Sequence, residues 1–81
     1  MGVGNVKIYP NPTHSILTLE TNREVTIQEI SVMDINGKLL EKISCSDHQV
    51  EINLSAYPAS ILLLAIQLEN KHVVMKRVVK Y

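Results

Sequence analysis

The sequence predicts an all-β domain of seven short antiparallel strands, and three observations carry that expectation. Apolar extended segments of roughly four to nine residues alternate with turn-forming clusters, and no window sustains a helical period. Of the 81 residues 46% are hydrophobic, yet the aromatics are three tyrosines with no Phe or Trp. The core must therefore come from Ile, Leu and Val, whose branched side chains suit a pleated interior. Asn36-Gly37 lies between two strand-like runs and is the strongest hairpin signal in the chain.

The strands are expected roughly at residues 6–9, 15–20, 25–34, 38–45, 48–54, 60–68 and 72–79. The first stops on Tyr9-Pro10-Asn11-Pro12. Each proline fixes its φ and pushes the preceding residue toward extended geometry, so this is a stiff corner. In the second, Leu17 and Leu19 point one way and Thr18 and Glu20 the other. The third breaks phase: Val25 and Ile27 share one parity, Ile30 and Val32 the other. A β-bulge at Gln28-Glu29, or a strand crossing between sheets, restores one core face. Asn36-Gly37 then supplies the positive φ values of a type I′ turn. In the fifth strand Val50, Ile52 and Leu54 face inward, Glu51 and Asn53 outward.

Ser55-Ala56-Tyr57-Pro58-Ala59 reads as a connection, because Pro58 prevents a continuous ladder. Ile61-Leu62-Leu63-Leu64-Ala65-Ile66 is apolar on both faces. Such a strand is either central and covered on both sides or presents an apolar face to a partner. Asn70-Lys71 marks a second hairpin, between the last two strands. Seven such strands in about 75 residues predict an immunoglobulin-like antiparallel β-sandwich.

The chain is short enough for one domain, expected over residues 6–81, with residues 1–5 as an N-terminal linker or expression remnant. Eight basic and eight acidic residues cancel, so no global field draws it to nucleic acid. Cys45 is the single cysteine; no internal disulfide is possible, and a small buried hydrophobe is the simplest reading. Met1-Gly2-Val3-Gly4 has neither a charged nor an apolar leader region, and the start at Met1 is expected to mark a fragment whose passenger is missing.

Candidates for chemistry are few. Cys45-x-x-His48 lacks the further ligands that a structural zinc site needs, so Asp47 and His48 are expected as exposed turn residues. Serines are plentiful, but no Gly-x-Ser-x-Gly elbow occurs, and three glycines make no phosphate-cradling loop. The carboxylates fall mostly at outward parity beside basic or polar neighbours, as on a solvated surface. No enzymatic activity, cofactor or metal is expected. Lys76-Arg77, with Lys71 and Lys80, reads either as charges protecting an edge strand or as a recognition strand open to β-augmentation.

The Tyr-Pro-Asn-Pro entry, the central Asn36-Gly37 and the final Lys76-Arg77-Val78-Val79-Lys80 together resemble the C-terminal sorting domain of type IX secretion cargo. This family, also called the Por secretion system sorting domain, is found in Bacteroidetes. The resemblance runs from Val6 to Tyr81. Matching positions are Tyr9, Pro10, Asn11 and Pro12; Asp34 and Gly37; Leu54, Ser55 and Pro58; and Lys76, Val78 and Val79. The resemblance implies a secretion signal that does no chemistry. Its partners would be the type IX translocon, a sortase-like peptidase and an N-terminal passenger. It also implies transit through the periplasm, then the outer-membrane surface or the extracellular space. Tyr9 to Pro12, Gly37 and Lys76, Arg77, Val78, Val79 and Lys80 would carry recognition.

One departure stands out. The family has Gly-x-Tyr where this chain has Ser60-Ile61-Leu62, which is expected to tax a turn needing positive φ and to remove a ring from the core. The segment Ser60 to Ile66 is also a candidate for strand exchange or self-association. The alternative to a sorting signal is a structural or adhesive sandwich module.

Overall fold

Seven strands form: β1 (Val6–Tyr9), β2 (Ile16–Thr21), β3 (Ile27–Met33), β4 (Leu39–Asp47), β5 (Gln49–Asn53), β6 (Ser60–Leu68) and β7 (Val73–Lys80). The computed structural model describes residues 6–22 and 24–81. The segment 1–5, expected as a linker, lies outside the described residues.

The strands make two sheets, β1-β2-β5 and β4-β3-β6-β7, and every strand pairing is antiparallel. Leu17 and Leu19 of β2, Ile30 and Val32 of β3, and Leu62 and Leu64 of β6 join one buried cluster, so both sheets close on a single aliphatic core. Tyr57 packs at its margin as a half-buried ring. Thr18 lies on the opposite parity from Leu17 and Leu19 but is also buried. It sits on the middle strand between Tyr9 and Glu51, whose side chains flank it.

The phase break in the third strand is a bulge. Pairing jumps from Ile27↔Leu68 to Glu29↔Gln67, which leaves Gln28 as the extra residue against β6. Ile27, Ile30 and Val32 are all thereby fully buried. A second shift, from Val32↔Glu41 to Met33↔Leu39, leaves Leu40 as the extra residue of β4.

The central hairpin differs from the expected type I′ turn. Such a turn needs positive φ at both central residues, whereas Gly37 has φ 86° and Asn36 does not share it. Gly37 N–H donates to Asp34 O at 2.9 Å, and Asp34 N–H donates to Lys38 O at 3.0 Å. This is a three-residue loop closed by a residue in the left-handed region. Asp34 chooses it: its Oδ1 accepts from Asn36 N–H and from Lys38 N–H, both at 2.9 Å.

The β6–β7 loop repeats the geometry. Lys71 N–H donates to Leu68 O and Leu68 N–H to His72 O, each at 2.9 Å. Asn70 Oδ1 accepts from His72 N–H at 3.1 Å. Here the left-handed position is held by Lys71, at φ 70°. Lys71 is the one non-glycine with positive φ among the described residues. Ser60 therefore needs no glycine, and the expected strain there is absent.

β6 is flanked by β3 on one side and β7 on the other. Leu62, Leu64 and Ile66 are buried, while Ile61, Leu63 and Ala65 are half-buried on the outer face. Self-association through the backbone of Ser60–Ile66 is thus closed off, because both ladders are already used. Only its outer side chains remain accessible.

Candidate functional site

The two ends of the chain meet. β1 runs into Tyr9-Pro10-Asn11-Pro12, where both X-Pro peptide bonds are cis. The corner carries the chain from β1 of one sheet to the edge of β7 in the other. There Asn11 imitates a strand with its side-chain amide. Its Nδ2–H donates to Arg77 O at 3.1 Å, and its Oδ1 accepts from Val79 N–H at 3.0 Å. Thr13 continues the pairing with backbone groups: its N–H donates to Val79 O at 2.9 Å, and its O accepts from Tyr81 N–H at 3.0 Å.

Thr13 is 1% exposed, and its hydroxyl donates to Ile16 O at 2.9 Å. The result is a short parallel bridge between Thr13 and Lys80. The rings of His14 and Tyr81 stack edge-on beside it, with centroids 3.9 Å apart. A proline on each side of Asn11 suits this role. Neither has an N–H to leave unpaired, and both hold the backbone away from helix, so the amide is delivered to β7 by a stiff corner.

The residues expected to carry recognition are therefore partly brought together. Tyr9 to Pro12 and Arg77 to Lys80 form one continuous surface at the end of β7. Tyr9 hydroxyl donates to Glu20 Oε1 at 2.9 Å, and this bond above all raises the tyrosine pKa. Arg77 and Val79 are exposed and Lys76 and Lys80 are half-buried. Val78 is fully buried, opposite Leu62. Its place in the segment is that of a core residue, not of a contact residue.

Gly37 is at the same end of the sheet, since Met33 pairs with Leu63 and Leu63 with Arg77. It lies beyond β3, roughly 10 to 15 Å sideways from β7 at about 4.8 Å per strand.

Beside the Asp34–Lys38 loop lies a feature the sequence did not announce. A groove of about 360 Å³ is lined by Ile35, Leu40, Tyr57, Pro58, Ile61 and Leu62, with Asp34 and Ser60 at its rim. It is walled on one side by Leu40, the unpaired residue of the β4 bulge, and on the other by Tyr57 and Pro58 of the β5–β6 connection. Only the register shift, which is a property of pairing, could have revealed it. Tyr57 hydroxyl donates to Glu41 Oε1 at 2.5 Å. Burial first, and then this bond, push the Tyr57 pKa up to about 12.

The Cys45–His48 pair also differs from expectation at one member. Asp47 is exposed, but His48 is half-buried and its Nδ1 lies 3.0 Å from Val25 O. A carbonyl only accepts, so this nitrogen carries the proton. Cys45 packs against the core, with its Sγ donating to Ile27 O at 3.4 Å. Among the described residues no three His, Cys, Asp or Glu side chains gather as a metal-ligand set.

A protein-family model described as the secretion system C-terminal sorting domain matches residues 7–80. No curated protein matches the chain. The matched span begins one residue into β1 and ends on the last residue of β7, so it takes in both partners of the Asn11 clamp. The chain belongs to the secretion system C-terminal sorting domain family, the sorting domains of type IX secretion.

Proposed function

We propose that this domain works as a folded address label. The type IX translocon reads the surface formed by the Tyr9–Pro12 corner and the exposed residues of β7. The passenger then crosses from the periplasm to the cell surface or medium of a Bacteroidetes cell, and a sortase-like peptidase releases it from the label. An immunoglobulin-like sandwich is the frame, and the order β1-β2-β5 with β4-β3-β6-β7 supports that description. The label contributes shape and charge, and it does no catalysis of its own.

The observation that carries this reading is the Asn11 clamp. It joins the two ends of the matched family segment into one surface, with side-chain bonds spanning 66 and 68 residues of sequence. A spacer module has no need to fasten its first turn to its last strand in this way.

The test is to fuse the whole chain behind a periplasm-directed fluorescent protein, in a type IX-competent strain and in a translocon-null strain. Surface or medium delivery in the competent strain alone is the expected result. Equal retention in both strains, with the domain folded, refutes it. Arg77→Glu is the sharper variant than deleting Lys76 to Tyr81. Arg77 is exposed, whereas deletion also removes the fully buried Val78 and so unfolds the frame.

A further inference from the structure

The edge of β7 is divided into a closed half and an open half. Leu68 N–H bonds to His72 O, and the β6–β7 register runs unbroken from Gln67↔Val73 to Ser60↔Lys80. Antiparallel pairs alternate, so the even-numbered residues of β7 exchange bonds with β6 and the odd-numbered ones point their backbone outward. The clamp agrees with this parity, since Asn11 and Thr13 take Arg77 O, Val79 N–H, Val79 O and Tyr81 N–H. Left facing outward are the N–H and C=O of Val73 and Met75 and the N–H of Arg77. Among the described residues no strand lies along them.

We propose that this open half, Val73 to Arg77, is a docking edge that accepts an extended acidic segment of a partner protein as one more strand. The inference deepens the sorting-signal reading, on which it rests for the identity of the partner as part of the secretion machinery.

Charge selects the occupant. Residues 70–81 hold Lys71, Lys76, Arg77 and Lys80 and no carboxylate, a local charge of +4 in a chain whose net charge is zero. The other residues therefore sum to −4. Among the described residues the one ion pair within 4.0 Å is Lys42–Glu29, so the β7 cations are not committed elsewhere. A second copy offering its own β7 would set like charges face to face, which disfavours the edge-to-edge dimer. The opposite edge, β4, mixes Glu41, Lys42 and Asp47 and selects neither sign.

Shape limits the occupant. Val73 and Met75 are each 57% exposed and offer apolar neighbours on the outer sheet face. Asn11 blocks the edge beyond Arg77. The incoming strand thus has room for about five residues of contact, with apolar side chains on the face of Val73 and Met75 and carboxylates on the opposite face, beside Lys76.

The test titrates the ¹⁵N-labelled chain with two capped peptides, Glu-Val-Glu-Val-Glu and Lys-Val-Lys-Val-Lys. The acidic peptide is expected to bind and to slow amide exchange at Val73 and Met75 by about tenfold or more. Val74 and Lys76, already bonded to β6, keep their exchange rates. Met75→Pro removes an outward donor while sparing the β6 ladder, and it is expected to abolish binding. Should that variant fail to fold, Lys76→Glu with Arg77→Glu reverses the preference between the two peptides.

Equal binding of both peptides, perturbation centred on β1, β4 or β5, or no binding of the acidic peptide at about 1 mM overturns the proposal. In cells, a folded Met75→Pro domain that sorts its passenger like the unaltered one also overturns it, while leaving the sorting-signal reading intact. An unaltered domain that never sorts defeats the sorting-signal reading instead, and the peptide titration still decides the edge.

Discussion

Replacing Asn11 by Ala removes both side-chain bonds to β7 without touching the core. Each bond is exposed and each is about 3 Å long, one to Arg77 O and one from Val79 N–H. A hydrogen bond of this kind contributes about 0.5–1.5 kcal/mol net. Water can reach both freed backbone groups, so the pair falls in the lower part of that range, about 1–2 kcal/mol in sum. For a domain of this size that corresponds to a fall in Tm of roughly 5–15 °C.

Asn11→Asp is expected to cost about as much. It keeps the acceptor for Val79 N–H but turns a carboxylate toward Arg77 O where an N–H donor stood. Urea unfolding measures the loss as a shifted midpoint at unchanged slope. Hydrogen exchange locates it: protection at Val79 falls, while Val78, within the β6 ladder, holds. A variant within about 0.3 kcal/mol of the parent, with Val79 protection intact, would show that the clamp is ornamental and sink the reasoning.

The two matched hairpins predict opposite responses. Gly37→Ala meets no atom within 4 Å, so its cost is backbone strain alone, about 1 kcal/mol by urea unfolding. Lys71→Gly relieves the same strain and is expected to stabilise by up to about 1 kcal/mol; a loss instead would contradict the left-handed assignment. Tyr57 sets an alkaline limit. Its folded pKa of about 12 lies above the ordinary value of 10.0, so its contribution is present below pH 10 and lost as pH rises from 10 to 12. Tyr57→Phe should flatten that decline in a melting series, leaving the smaller contribution of Tyr9, whose pKa is also raised. The Cys45 thiol pKa is raised, first by burial and then by Asp47, so alkylation of the native protein near pH 8 should run slower than in urea; equal rates would place the thiol outside the core margin.

Much of the frame follows from local chemistry. Alternation in Val50-Glu51-Ile52-Asn53-Leu54, the prolines at 10, 12 and 58, and Asn36-Gly37 mark strands and breaks that the structure reproduces within two residues at every boundary. The phase break at Gln28-Glu29 was legible too, because a one-residue error would have placed Ile30 and Val32 in water, but only the pairing chose a bulge over a crossing between sheets. The hairpin type was not. Asp34 captures two N–H groups across four residues and selects a three-residue loop, and only its rotamer decides that.

The site was legible in its parts and not in its assembly. Composition shows a stiff corner and a basic last strand, and resemblance ties both to a secretion signal. That Asn11 bonds to Arg77 and Val79, that Val78 is core, and that the edge stays open from Val73 to Arg77 depend on which strands become neighbours. Local propensity acts over a few residues, whereas the Asn11 bonds close loops of more than sixty. They form only when one aliphatic core draws the two sheets together and brings the first turn beside the last strand.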